Sequence, residues 1–471
     1  MSNVKFNSIA DDINVLSSVF GGNAKGEAVI KSLTTGNDVA VPGTTGGAAL
    51  RRQELREDVK NLTFGRADFT IFNMIPRSTT NESTLEYNIQ DSYGATGSRG
   101  YVRELDIAAV NDLSLERKLV RMKIVSDTRQ VSLQSLQVGN VANPLDLSLE
   151  AAIISVSKDI EYGIFYGDAD LTGQGGAGQG TEFDGLEKLI PASNVLDLRG
   201  DILTEQQMNQ AGVIVGRAFG TPTDAFMDLG VHANFVQNQL PRQWVTQGSA
   251  QNVATGFNVP QMVTTRGVIN LHASTIMNSD KLLDPQDGVS VQSPIAPTVT
   301  AAINKGEGDF LPADLKSAAK YAVRLVAEKG QKSVPTYVDA TITDATDEVT
   351  LSIVLGAQLL GKPRHVEVYR LDAATNQYWL ISRIPFYTAT VSNGSYSVSF
   401  TDKNEIIPGT SEVFVGELQQ RSIELLELYP MYRLPLATVN AAAQFAVMWS
   451  GALALYAPKR WVRIINVKTQ L

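Results

Sequence analysis

The sequence predicts an α+β chain with a separate all-β sandwich inserted in it, and three stretches carry that prediction. From Asn143 to Asp168, apolar or small residues fall at Leu149, Ala152, Ile153, Val156, Ile160 and Ile164, the three-and-four spacing of one helix face. Glu150, Ser157, Lys158 and Glu161 lie off that stripe. Between Ser83 and Ile124 the period changes to two, as in a long hairpin. Leu85, Tyr87 and Ile89 share a face, DSYGATGSRG supplies a turn-rich tip, and Arg121 and Lys123 alternate with Met122 and Ile124. From about Pro294 to Thr410, about seven short strand-like runs are separated by turn signals such as Glu328-Lys329-Gly330, Gly361-Lys362-Pro363 and Asn393-Gly394. That pattern suits an immunoglobulin or fibronectin type III sandwich, and without a Cys-Trp-Cys signature the fibronectin-like variant fits better.

Residues 1 to 46 mix one short helical pattern with Gly- and Thr-rich runs and read as an arm without a core of its own. Ala48 to Leu62 places Leu55, Val59 and Leu62 on one side and charges of both signs elsewhere, a surface helix. The hairpin has too few apolar positions to bury itself, so it is expected to lie on another surface, either its own domain or another subunit. In the central helix Asn143 is a cap candidate ahead of Pro144 at the first helical position, and Gly163 and Gly167 weaken the far end. Such a rod spans on the order of 30 Å and must bury one side against a sheet.

Gly173, Gly175 and Gly178 match G-x-G-x-x-G, but the match follows a helix instead of a strand, so a mobile surface loop is expected there rather than a dinucleotide site. From Glu205 to Val236 helix and strand alternate in the α/β manner. Strands are predicted at Tyr321–Glu328, Val334–Ile342, Val349–Leu355, His365–Arg370, Tyr378–Ile384 and Tyr396–Thr401, with a weaker one at Thr298–Ile303. The apolar run Leu434 to Ala457 is long enough for a bilayer, with Lys459, Arg460 and Trp461 where an interfacial anchor would sit. Pro435, Asn440, Gln444, Ser450 and Gly451 interrupt it, and a core strand covered on both faces is the better reading.

The 471 residues are enough for two to four domains, and 43% apolar with 19% charged content is that of a globular protein. A net charge of -9 argues against a protein that grips nucleic acid by bulk electrostatics. The absence of cysteine removes disulfides, thiolate nucleophiles and thiolate metal sites. The opening MSNVKFNSIADDINVL lacks the basic patch and apolar run of an export signal. His232, His272 and His365 are scattered, with no partner at metal-ligand spacing, and Asp11-Asp12 and Glu57-Asp58 read as solvated faces. No Walker A loop, G-x-S-x-G elbow or HExxH is present. The expectation is no catalytic residue, no cofactor and no metal.

Read together, GAALRRQ from Gly47, FYGDADL from Phe165, EFDGL from Glu182, FGTPTDA from Phe219, GVHANFV from Gly230, RGVINLH from Arg266, VFVGE from Val413, LPLATVNA from Leu434 and FAVMWSGALALYAPKRWVRI from Phe445 resemble major capsid proteins of tailed phages. The likeness is strongest to large contractile-tailed phages of Gram-positive bacteria, which look like members of the Hong Kong 97-type capsid family. The resemblance implies an N-terminal arm over residues 1–70, an extended loop with adjoining strands over 71–130, and a peripheral domain with spine helix and loop over 131–180. It further implies an axial domain over 181–293, the sandwich inserted at 294–410, and a return to the axial and peripheral domains over 411–471.

By the same resemblance the chain would self-assemble as pentamers and hexamers into an icosahedral head around double-stranded DNA, made in the host cytoplasm and located in the virion. Its partners would be copies of itself, the portal, scaffold or decoration proteins, and packaged DNA in non-specific contact only, with no membrane. Arg51, Arg52, Glu54 and Glu57 on the charged helix and Arg99, Arg103 and Glu104 at the hairpin tip are the intersubunit contact candidates. No lysine lies between Lys60 and Lys118, so a covalent lysine-asparagine crosslink through the loop is not expected. A non-viral compartment shell of the encapsulin kind and, more remotely, a surface adhesion protein are the rival readings.

Overall fold

The spine of the fold is the helix Pro144–Tyr166, with proline at its first position as the sequence predicts. The computed structural model describes residues 68–92, 103–104, 107, 114–138, 143–172, 176–239, 259–311, 318–355, 363–392, 395–437 and 441–469. The arm, the 48–62 helix with Arg51, Arg52, Glu54 and Glu57, Arg99, and Gly173 with Gly175 lie outside the described residues. The contacts below fall within one unit, Thr63–Gln137 together with Pro144–Leu471.

The expected stripe is only part of what is covered on the spine. Ala152, Val156, Ile160 and Ile164 are buried, but so are Ser157 and Glu161, which the pattern placed off the stripe. The reason is that the helix has sheets on more than one side. Ile160, Ile164 and Phe165 share a core with Phe445, Val447, Trp449 and Leu453 of one sheet and with Phe226 and Phe414 of another. Phe165 stacks on Phe414 with ring centroids 5.5 Å apart and meets Phe226 edge-on at 6.0 Å.

The first sheet has four strands in the order Arg77–Thr79, Ile423–Pro435, Ala442–Leu455, Lys123–Ser132. The apolar C-terminal run is thus a strand, and Ala442–Leu455 occupies an interior position with its second half buried throughout. Among the described residues no helix is long and apolar enough to cross a membrane.

The second sheet has six strands in the order Val195–Asp197, Trp461–Lys468, Thr410–Gly416, Asp224–Asp228, Gly267–Ser274, Gln261–Thr264. Its α/β part is as expected, with helices Glu205–Arg217 and Leu229–Gln239 flanking Asp224–Asp228 and a parallel pairing of that strand with Gly267–Ser274. The first of these helices starts at a capping box, Gln207 Oε1 accepting the Thr204 amide at 3.2 Å. Met208 and Val215 then pack on Ala225, Val413 and Val462.

The predicted hairpin is formed by Thr84–Ser92 and Ser114–Arg121. It ends three residues earlier than the alternation suggested, at Arg121 instead of Ile124. Met122 separates it from Lys123–Ser132, which belongs to the four-stranded sheet, and there Ile124 points outward at 63% exposure while Lys123 turns in. Leu85, Tyr87 and Ile89 are half-buried between exposed neighbours, as their spacing predicts.

Residues 298 to 402 supply two antiparallel four-stranded sheets around one core. One is ordered Thr336–Thr341, Ala318–Ala327, Pro363–Asp372, Gln377–Pro385; the other Thr390–Ser392, Ser395–Asp402, Asp347–Leu355, Thr298–Lys305. Val323, Leu325, Val366 and Val368 meet Leu351, Ile353 and Val398 between them. All seven predicted strands are present, and Thr390–Ser392 is an eighth that the turn signals concealed.

Candidate assembly surface and buried charge junction

The hairpin stands on the body by its base. Tyr87 packs edge-on against Tyr456 at 4.9 Å and donates its hydroxyl to the Leu455 carbonyl at 3.2 Å, while Val120 and Met122 border the helix core. Burial, with Glu116 nearby, pushes the Tyr87 phenol up to about 12. On the same hairpin Leu119, opposite Glu86 near the base, and Leu115, farther out opposite Gln90, are 50% and 64% exposed, and Arg103 and Glu104 are exposed as well. A second exposed apolar group, Tyr429, Tyr432, Leu434 and Leu436, lies on and just beyond the outer half of Ile423–Pro435.

The root of the chain's first described segment is tied down by Glu161, a buried carboxylate in the middle of the spine. It accepts the Thr70 amide at 3.1 Å, the Thr70 hydroxyl at 3.0 Å, the Phe72 amide at 3.5 Å and the Ser274 hydroxyl at 3.4 Å. Burial lifts its carboxyl above the ordinary value, and the bonds from Thr70, Phe72 and Ser274 oppose that lift.

Beyond the last turn of the spine, charges of both signs gather in a cavity of about 300 Å³ lined by Tyr162, Tyr166, Glu187, Lys281, Arg383 and Glu412 among others. Arg463 donates to both oxygens of Glu412, at 2.8 and 3.0 Å, and to Glu187 at 2.7 Å. Burial opposes ionisation of Glu412, but Arg463 and Lys281 outweigh it and hold the carboxyl down at about 2. Burial and the adjoining Glu412 charge push Glu187 the other way. Lys188 sits among Asp168 at 2.6 Å, Asp170 at 2.6 Å and Asp184 at 2.9 Å, so the acidic cluster carries its own counter-ion.

Inside the sandwich, Arg324 pairs with Glu367 at 2.6 Å, and Arg370 with Asp402 at 2.7 Å, the latter carboxylate also accepting from Tyr321 at 2.8 Å. His365 contacts Glu367 at 3.4 Å, and His272 contacts Asp224 at 2.9 Å. Among the described residues no group of three His, Asp or Glu side chains could hold a metal ion. The sequence reading missed these buried pairs because charged residues alternating along a strand look solvated until a covering layer is known.

Residues 34–286, more than half of the chain, match the family model described as SU10 major capsid protein. The chain belongs to the phage major capsid proteins. The putative major capsid protein of Enterococcus phage phiEF24C is 40% identical over 444 residues, 94% of this chain and 95% of the relative. The major capsid protein of Staphylococcus phage K is 39% identical over the same shares. Among solved structures, the chain is similar to the holo-SrpI encapsulin complex from Synechococcus elongatus PCC 7942, with TM-score 0.44 and 8% identity over 88% of this chain and 93% of that one. It is also similar to the capsid of the native GTA particle, with TM-score 0.42 and 7% identity over 91% of this chain and all of that one.

The capsid protein is therefore a structural component of the virion shell, built to associate with copies of itself. Family membership sets aside the adhesion reading and favours the phage head over the non-viral compartment.

Proposed function

We propose that this capsid protein assembles as pentamers and hexamers into an icosahedral head around packaged double-stranded DNA, in a Hong Kong 97-type fold. The reading is supported above all by 40% identity to a phage capsid protein across nearly the whole chain. In this scheme residues 1–70 are the arm, 71–130 the extended loop, 131–180 the peripheral domain around the spine, 181–293 the axial domain, and 411–471 the return through both. Residues 294–410 are an inserted immunoglobulin- or fibronectin-like module, consistent with two packed antiparallel sheets of four strands.

Arg51, Arg52, Glu54, Glu57, Arg99, Arg103 and Glu104 contribute ion pairs between neighbours, each worth about 0–1 kcal/mol, so that many modest contacts add up over the shell. The exposed Leu115 and Leu119 of the hairpin are covered by a neighbouring copy. Portal, scaffold and decoration proteins are the further partners, and DNA is touched without sequence preference because the net charge of -9 offers little phosphate binding. Electron microscopy of the expressed chain tests the reading: closed shells with five- and six-fold capsomers support it, and a persistently monomeric protein refutes it. Reversing Arg103 and Glu104 together with no change in shell yield would remove those two residues from the interface.

A further inference from the structure

We propose that the residue 298–402 sandwich is keyed in a single orientation to the end of the spine helix by a charge joint centred on Glu182. The inference does not depend on how the shell is built. Arg383, on Gln377–Pro385, donates to the Tyr166 carbonyl in the last helical turn, where carbonyls lack intrahelical partners and the helix dipole is negative. Its guanidinium also lies 5.8 Å from the centroid of the Tyr162 ring.

Arg364, on the neighbouring strand, donates to the Leu171 carbonyl at 3.3 Å and pairs with Glu182. Glu182 faces Arg383 at 3.9 Å and accepts the Asp168 amide at 3.2 Å, so one carboxylate joins two sandwich strands to the chain leaving the spine. Two backbone bonds run alongside: the Tyr387 amide to the Thr172 carbonyl at 3.3 Å and the Leu380 amide to the Lys281 carbonyl at 2.8 Å. On another edge Arg199 grips Asp309, and the Ile407 amide donates to Asn466 at 2.9 Å.

A joint of this kind has a particular mechanical character. Water readily solvates ions on opening, so the charges add little to overall adhesion. Sliding or rotating the sandwich while the faces stay together leaves Arg364, Arg383 or Glu182 covered and unpaired, which is strongly unfavourable. The joint therefore selects orientation more than it adds strength. A tethered module without such a key would be expected to move relative to its host.

The chain contains no cysteine, so one engineered pair can report on the joint. In the full chain carrying T172C and Y387C, assembled or not, oxidation should crosslink rapidly and completely, and adding Glu182→Gln should slow that reaction by about tenfold, the effect of losing one charge-assisted hydrogen bond. Hydrogen exchange at Leu351 and Val366 should stay unchanged, showing an intact sandwich core. Slow or partial crosslinking with Glu182 present overturns the proposal, as does a rate indifferent to Glu182→Gln. Should Glu182→Gln also expose Leu351 and Val366, Arg383→Lys decides instead: it keeps the charge but loses the planar reach, and an unaltered rate would reject the key.

Discussion

Replacing Glu161 with leucine would test whether a buried carboxylate with no ion-pair partner among the described residues organises the meeting of spine, chain root and six-stranded sheet. Leucine fills much the same space but accepts nothing. The Thr70 and Phe72 amides and the Thr70 hydroxyl, now bonded at 3.0 to 3.5 Å, would be left in a buried setting. An orphaned buried donor costs about 1–3 kcal/mol, and with the Phe72 bond long and the hydroxyls free to turn, the total should be about 3–4 kcal/mol. Urea unfolding followed by fluorescence of the buried Trp449 and Trp461 measures it in the purified subunit.

A pH series adds a second readout to the same experiment. Because burial lifts the Glu161 carboxyl above its ordinary 4.5, its contribution to stability is complete below that pH and is lost as pH rises through the lifted value. Glu161→Gln removes the titration, so the stability of that variant relative to the unaltered protein should improve as pH rises across the window. Wild-type urea resistance in Glu161→Leu would refute the anchoring role, whereas a glutamine variant whose relative stability does not move with pH would show that the bonds from Thr70, Phe72 and Ser274 offset burial in full.

Arg463→Met should destabilise the subunit by about 3–5 kcal/mol, since it removes the cation that Glu412 and Glu187 share and leaves Lys281, 3.5 Å from Glu412, to offset both; calorimetry would register the fall in Tm. Glu412 acts in the opposite sense to Glu161: its lowered value means that its stabilisation is full above about pH 4.5 and fades as pH falls through about 2, which acid unfolding of Glu412→Gln beside the unaltered chain would reveal. Gly185→Ala should cost about 1–3 kcal/mol in urea unfolding, because its new methyl would lie 2.6 Å from the Gly163 carbonyl oxygen and 2.7 Å from the Gly167 nitrogen. Gly163→Ala, meeting only the tip of Phe183 at 2.9 Å, should cost less. Tyr87→Phe should lose about 0.5–1.5 kcal/mol of local stability, seen as faster hydrogen exchange in Thr84–Ser92.

Periodicity made the elements legible and left their partners hidden. The spine, the hairpin and seven sandwich strands each carry a repeat of side chains long enough to be read without any neighbour. Glu161 shows the limit: on a helical wheel it is a polar residue beside Lys158, and only Thr70, 91 residues away, and Ser274, 113 residues away, make it an interior acceptor. Ile124 shows the converse, an apolar residue left outside because the strand's register is set by pairing with Ala442–Leu455. The charge junction was equally invisible, since Glu182, Arg364, Arg383 and Arg463 lie far apart in the chain and each alone resembles an ordinary surface ion.

Both body sheets are completed from the far end of the polypeptide. Lys123–Ser132 pairs with Ala442–Leu455, and Val195–Asp197 with Trp461–Lys468, so these partners are separated by more than 250 residues. On the ribosome, neither layer can close until residues 442–468 have emerged. The sandwich, whose strands pair among themselves, can finish earlier. A subunit lacking residues 442–468 would thus have both body sheets open while its sandwich could still be whole.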